Sequence, residues 1–205
     1  MLEIKSAVFG SLQNNCYLIT DVDTGISALI DCTECSDKMK NFISGADLKY
    51  IFLTHGHFDH IGGVKEVKEL TGAEVVISCE DEIMLSSGKS SLAAFCGAKQ
   101  NNVTADVIAK DGDEIMLGKT AIKVMATSGH TKGGVCYIAD DNIFTGDTLF
   151  FCSCGRTDFP GGSSREMLAS LKKLSELEGD YKIYPGHDRE STLDFERENN
   201  PYMNR

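Results

Sequence analysis

The chain is expected to fold as an α/β (α+β) domain, and three observations lead there. Strand-like runs alternate with amphipathic stretches along the whole length, and no linker or low-complexity segment interrupts them. The chain has 205 residues, enough to bury a sizeable core and near the usual upper range for one domain. A single domain over residues 1–205 is therefore expected.

In chain order, strands are expected over 3–9, 16–20 and 27–31, then a helix over 36–44 and a strand over 50–53. A helix over 64–70, a strand over 74–78 and a helix over 81–86 follow. Five short strands come next, over 114–117, 121–126, 134–138, 142–145 and, after a long helix, 182–184. Each strand is a short β-branched, aromatic or apolar run bounded by turn-forming residues. The long helix, 165–177, carries the clearest local signals. Ser163 with Glu166 makes a capping box, Met167, Leu171 and Leu174 line one face, and Gly179 supplies a stop. That face reads as core. A short helix after Ser191 should end at Pro201, because the residue before a proline is excluded from helical geometry. The stretch 86–104 is rich in Ser, Gly, Ala and Asn, and fits either a flap over a site or surface filler.

The most informative segment is His55-Gly-His57-Phe-Asp59-His60, three imidazoles and a carboxylate in six residues directly after an apolar strand. Neutral imidazole and carboxylate donors suit zinc, iron or manganese. The chain has only five histidines, and the other two, His130 and His187, also follow glycines in turn-like settings. One such histidine alone reads more naturally as an ordinary core or surface residue. Five of them beside small or turn-forming residues are hard to place for packing reasons, and a metal site is expected.

The charge balance narrows the partners. Twenty Lys and Arg against 31 Asp and Glu give a formal net charge of −11, which disfavours nucleic acid and anionic membrane surfaces through long-range repulsion. No run of about 18 apolar residues is present to span a bilayer, and no basic segment followed by an apolar stretch opens the chain. Eight cysteines without an export signal are expected to stay reduced, so a cytoplasmic location is expected. Cys32 and Cys35 form a C-x-x-C pair and Cys152 and Cys154 a second close pair. Redox activity, or a structural zinc site if the two pairs converge, stands against plain reduced thiols, the favoured reading.

With these motifs in order, the sequence resembles the metallo-β-lactamase superfamily. The pieces are His55 to His60, Gly129-His130-Thr131, Thr145-Gly146-Asp147-Thr148 and Pro185-Gly186-His187, with Leu29-Ile30-Asp31 as the early strand ending in aspartate. The resemblance implies a four-layer αββα sandwich with ligand loops at one edge of the sheets. It also implies two divalent metal ions, zinc first among zinc, iron and manganese. His55, His57 and His130 would hold the first, Asp59, His60 and His187 the second, and Asp147 would bridge them.

Such a pair, about 3.5–4 Å apart, can activate a shared water against a carbonyl carbon. Hydrolysis of an ester-like bond is thus implied, with Asp59 as the catalytic residue that orients the water and takes its proton. The segment 148–162 and the ending Asn200-Pro201 look like the short glyoxalase II-like hydrolases, which points to a small-molecule thioester such as hydroxyacylglutathione. Full-length type II glyoxalases add a C-terminal helical domain that grips glutathione, for which the 18 residues after His187 leave no room. Arg156 is the candidate substrate-binding residue, its planar fork suited to a carboxylate, against a plain ion pair with Asp158.

The alternative is a mononuclear iron persulfide dioxygenase, a branch that shares the Cys154-to-Phe159 run and the Ile183-to-Asp188 ending. Those enzymes typically carry alanine where this chain has Gly186, so the hydrolase is favoured. Lactone or other ester hydrolysis uses similar metal cores and is carried as a further possibility, as is a metal-binding protein without turnover. Oligomeric state is not encoded in any of these motifs.

Overall fold

The computed structural model describes residues 1–203. The chain opens with the antiparallel strands β1 (Leu2–Phe9), β2 (Asn14–Asp21) and β3 (Ile26–Ile30). Helix α1 (Asp37–Phe42) then crosses to β4 (Asp47–Phe52), which lies parallel to β3. Ser36 starts α1 by accepting from the Met39 amide at 3.4 Å, satisfying one of the orphan donors of the first turn. The short α2 (Phe58–Ile61) and α3 (Val64–Thr71) lead to β5 (Glu74–Ser78), a 3-10 turn at Glu82–Leu85, α4 (Ala93–Cys96) and β6 (Val107–Ala109). The first sheet has the order β1-β2-β3-β4-β5-β6.

The second half repeats the plan. Strands β7 (Glu114–Leu117), β8 (Thr120–Ala126), β9 (Val135–Ala139) and β10 (Asn142–Gly146) form an antiparallel meander. A small hairpin of β11 (Leu149–Phe150) and β12 (Ser153–Cys154) follows, then α5 (Ser164–Ser175), β13 (Lys182–Pro185), β14 (Ser191–Thr192) and α6 (Leu193–Asn199). Because α5 is a crossover, β13 returns parallel to β10, and the sheet order is β14-β13-β10-β9-β8-β7.

Strand periodicity of two sorts the apolar residues into three cores and therefore four layers. On β2, Cys16 and Leu18 face α1 and α3, packing with Met39, Val64 and Val67. Tyr17 and Ile19, one residue out of phase, face the second sheet and pack with Val124, Tyr137 and Phe144. On the far side of the second sheet, Cys136, Ile138 and Ile143 meet Met167, Leu171 and Leu174 of α5 and Leu193 of α6. The architecture is the αββα sandwich. Each fully buried aliphatic contributes about 1.5–3 kcal/mol, and Leu171→Ala in the α5 stripe would cost about 2–5 kcal/mol.

Most expected elements are present with ends shifted by one to three residues, and the differences have local causes. The 81–86 helix is the 3-10 turn, because Asp81 turns inward to other partners and does not cap it. Helix α5 stops at Ser175, four residues before Gly179, after the amide of its C-cap Glu176 bonds back to Lys172. Only half of its capping box forms: Ser163 accepts from the Glu166 amide, but the Ser163 amide donates to the Gly129 carbonyl. Asn200 before Pro201 is extended, as the proline requires. The sequence reading missed α2, α4, β6, β11, β12 and β14, all of four residues or fewer and too short to show a period. The 86–104 stretch holds α4 and is pinned: the Ser91 carbonyl accepts from Phe58, and Gln100 donates to the carbonyls of Met84 and Leu85.

None of the eight cysteines is joined in a disulfide. Cys32 and Cys35 belong to the core under α1 and α3, Cys154 to that under α5, so the two pairs do not converge. Among the described residues, no helix is long and apolar enough to cross a membrane.

Candidate metal centre

Strands β3, β4, β8, β10 and β13 all deliver their C-terminal ends to one edge of the sandwich, and the titratable residues collect there. His55 follows β4 by three residues. Asp59 and His60 ride on α2, whose N-cap position is His57. His130 comes from the β8–β9 connection, Asp147 directly follows β10, and His187 lies just beyond β13. The structure thus brings all seven residues of the expected ligand set into one cluster.

Two glycines let the loops close. Gly146 has φ +48°, and a Cβ there would lie 2.4 Å from the Thr54 Oγ1. Its bulge against β13 turns Asp147 into the site. A Cβ on Gly186 would meet the Asp147 Oδ1 at 2.4 Å and the His60 Cε1 at 2.8 Å, so only glycine passes this close. The segment after β13 is held to the first sheet by Asn15, which donates to the carbonyls of Pro185 and Asp188, and by the Tyr17 hydroxyl at 2.6 Å from the Pro185 carbonyl.

Three ligand groups are defined by donor atoms lying within 4.8 Å of one another: His55, His57 and His130; Asp59, His60 and His187; and His55, His60 and Asp147. Asp147 spans the first two. Its Oδ1 lies 3.4 Å from the His60 Nε2, and its Oδ2 lies 3.4 Å from the His130 Nε2 and 3.7 Å from the His187 Nε2. Outer partners orient the rings. The His130 Nδ1 sits 2.7 Å from the Arg156 carbonyl and the His60 Nδ1 2.8 Å from the Asp31 Oδ2, so each ring turns its Nε2 inward. His57 Nδ1 and His130 Nε2 face each other at 2.9 Å, an arrangement satisfied by one proton or by a cation between them.

A divalent ion fits these residues. The Nε2 atoms of His55 and His60 and the Oδ1 of Asp147 are buried without a hydrogen-bond partner, while His57 turns its Nδ1 to the cluster. Each such group costs about 1–3 kcal/mol unless something else satisfies it, and convergent lone pairs of imidazole and carboxylate are what a borderline cation needs. Protonation states agree with that use. Burial, reinforced by neighbouring imidazoles, depresses His55 and His57, the latter to about 3, so both are neutral donors at physiological pH. Burial opposes the Asp59 charge, but His60, His187 and Asn14 outweigh it and hold the carboxyl well below its usual range. Burial likewise opposes the His60 imidazolium, yet Asp31, Asp147 and Asp59 together lift it to about 10 before any cation displaces the proton.

Three residues support the cluster: Asp31, which the sequence reading named in the family pattern without a role, and Asn14 and Asp81, which it missed. Asp31, at φ +56°, accepts from the Thr54 amide, the Thr54 hydroxyl and His60, each at 2.8 Å. Asn14 holds the Asp59 Oδ2 at 3.0 Å through its Nδ2. Asp81 bonds the His55–His57 loop to the segment after His130. The only sequence signals were a strand ending in aspartate for Asp31 and an Asn-Asn doublet for Asn14; Asp81 had none.

Beside the cluster lies a cavity of about 580 Å³, walled by Leu12, Phe58, Leu92, Phe150, Phe159, Cys96 and Cys154, with His57, Asp59, His130, Asp147 and His187 at its floor. Arg156 is on its rim. Its Nε and Nη2 each donate to Asp158 at 2.7 Å, and its guanidinium carbon stands 4.0 Å from the Phe159 ring centre. The ion pair weighed against a substrate role is therefore formed. Lys132 is exposed.

Residues 9–187 match the model of the metallo-beta-lactamase superfamily. The chain is 32% identical over 208 residues to the hydroxyacylglutathione hydrolase GloC of Haemophilus influenzae, covering 95% of this chain and 94% of that protein. Among solved structures it is similar to the BLEG-1 B3 metallo-beta-lactamase, with TM-score 0.92, 26% identity and coverage of 98% and 99% of the two chains. It is also similar to TTHA1623 in a di-iron-bound form, with TM-score 0.85, 29% identity and coverage of 97% and 99%. Fold, ligand cluster and sequence kinship agree: the chain belongs to the metallo-beta-lactamase superfamily and is a metal-dependent hydrolase.

Proposed function

We propose that this protein hydrolyses small-molecule thioesters, hydroxyacylglutathione being the reference substrate, at a centre of two divalent ions, zinc first among them. The observation that carries the reading is Asp147, whose two oxygens face histidines of both ligand groups. The kinship with GloC supports the substrate class, and the di-iron form of TTHA1623 supports a pair of ions.

His55, His57 and His130 would hold one ion, and Asp59, His60 and His187 the other, with Asp147 between them. Bound there, such ions supply Lewis acidity toward a carbonyl oxygen and lower the pKa of water toward neutrality. Asp59 orients the attacking water and accepts its proton; Asn14 keeps its carboxylate in place. Phe58, Phe150 and Phe159 exclude bulk solvent from the acyl group, which sharpens every electrostatic contact at the floor. Arg156 recruits a substrate carboxylate by exchanging it for Asp158, a swap that costs little because both partners of the pair are exposed to water.

The persulfide dioxygenase reading is disfavoured by Gly186, since that branch typically carries alanine there. The test is elemental analysis of protein purified anaerobically, combined with thioester assays of wild type and Asp147→Ala. Near two ions per chain and lactoylglutathione turnover are expected, with turnover abolished and metal content lowered in the variant. One iron per chain with oxygen consumption on a persulfide would sink the proposal, as would a variant that kept both metal and activity.

A further inference from the structure

We propose that Asp81 is a positioning residue that sets the spacing of the His55, His57 and His130 ligand group through the backbone, without touching the ions or the substrate. The inference rests on the two-ion reading above and deepens it.

His55 and His57 hang from the first sheet and His130 from the second, so their distance depends on whatever joins the two loops. Asp81, fully buried, sits between them. Its Oδ2 accepts from the Gly56 amide, between the two histidines, at 3.1 Å and from the Thr131 hydroxyl, next to His130, at 2.7 Å. Its Oδ1 accepts from the Gly133 amide at 2.9 Å. A buried carboxylate is costly unless its lone pairs are filled, and three donors fill these from two loops of different sheets.

The surroundings leave no slack to absorb an error. A Cβ on Gly133 would lie 2.7 Å from the Asp81 Cγ and 2.2 Å from the Ser78 Oγ, and one on Gly56 would lie 2.5 Å from the Met84 Cβ. Loop backbone thus packs directly on the carboxylate and its neighbours. The other ligand group shares none of these bonds, since Asp59 and His60 ride on α2 and His187 follows β13. Loss of Asp81 should therefore loosen one ion and spare the other.

In Asp81→Asn an amide NH2 replaces one acceptor and faces an N–H or O–H donor. The test is a cobalt(II) titration of metal-stripped protein against a competing chelator, with the two affinities assigned by parallel titrations of His130→Ala and His187→Ala. Affinity at the His55, His57 and His130 group is expected to fall about 10–100-fold in Asp81→Asn, as for other residues that orient ligands from outside the coordination shell, with the second affinity unchanged. Thr131→Val, which removes one of the three bonds, should show a smaller fall at the same group and covers the case in which the first variant does not fold. Unchanged affinities, or an equal fall at both groups, would overturn the role of Asp81. Wild-type protein that binds fewer than two ions would instead overturn the two-ion reading.

Discussion

Arg156 shows how far a single residue can be read from its neighbours in sequence. A fork-shaped cation beside an aspartate predicts both a carboxylate ligand and an ion pair, and the structure forms the pair bidentately on an exposed rim. Exchange of Asp158 for a substrate carboxylate then predicts a specific kinetic pattern. Arg156→Ala should raise KM for glutathione thioesters about five- to tenfold, with kcat unchanged and with neutral thioesters unaffected. Steady-state kinetics on one anionic and one uncharged thioester would check it, and an equal loss on both would remove Arg156 from substrate recognition. The histidines of the cluster were legible because imidazoles are rare in this chain and crowded at turns, whereas Asp147 was reached only through the family resemblance. Asn14, Asp81 and the role of Asp31 were not, because a lone Asp or Asn before a turn is far more often a cap or a solvated group than a partner for a loop distant in sequence.

Helix α6 illustrates what an element contributes beyond its own apolar face. Asn200 at its C-terminus points its Nδ2 at the carbonyls of Ser153 and Phe150, at 3.0 and 3.4 Å, and Glu196 accepts from the Cys152 amide at 2.9 Å. Cys152 lies at the tip of the hairpin in the left-handed region, at φ +51°. This clamp fixes β11 and β12, which carry Phe150, Ser153 and Cys154 into the cavity wall. Asn200→Ala should leave these part-buried carbonyls one donor short and cost about 1 kcal/mol of stability, seen in denaturant unfolding. KM should rise with metal content unchanged, and an unaltered KM would detach the clamp from the substrate wall. The helix itself was visible in the sequence through Pro201. Its hold on a two-residue ladder was invisible, since neither partner has a period to detect.

At the scale of the whole molecule, the two sheets are joined at both ends of the sandwich. One end carries the ligand loops; the other carries Asp21, buried at the end of β2, which accepts from the Thr120 hydroxyl on β8 at 2.6 Å and from the Thr24 amide and hydroxyl. Those bonds, Thr120 first and against the effect of burial, hold the Asp21 carboxyl at about 2, below its ordinary 3.8. A carboxyl depressed in the folded state stabilises fully above its unfolded pKa, and the contribution disappears as pH falls through the folded value. Stability should therefore decline between about pH 4 and pH 2, and Asp21→Asn should lower stability at neutral pH while flattening that decline. Thermal melts of both proteins across this window would show it, and parallel curves would refute it. What the sequence by itself determined is the set of chemical groups and their rhythm: period-two strands, an amphipathic α5, and histidines and aspartates gathered in the loops and short helix that follow strands. What only the tertiary structure decided is their distances. His55, His130, Asp147 and His187 come from four separate connections, and their approach is governed by sheet pairing, by glycines that admit close backbone contact and by buried carboxylates that bond across loops. None of these interactions is local in sequence, so no local pattern could encode them.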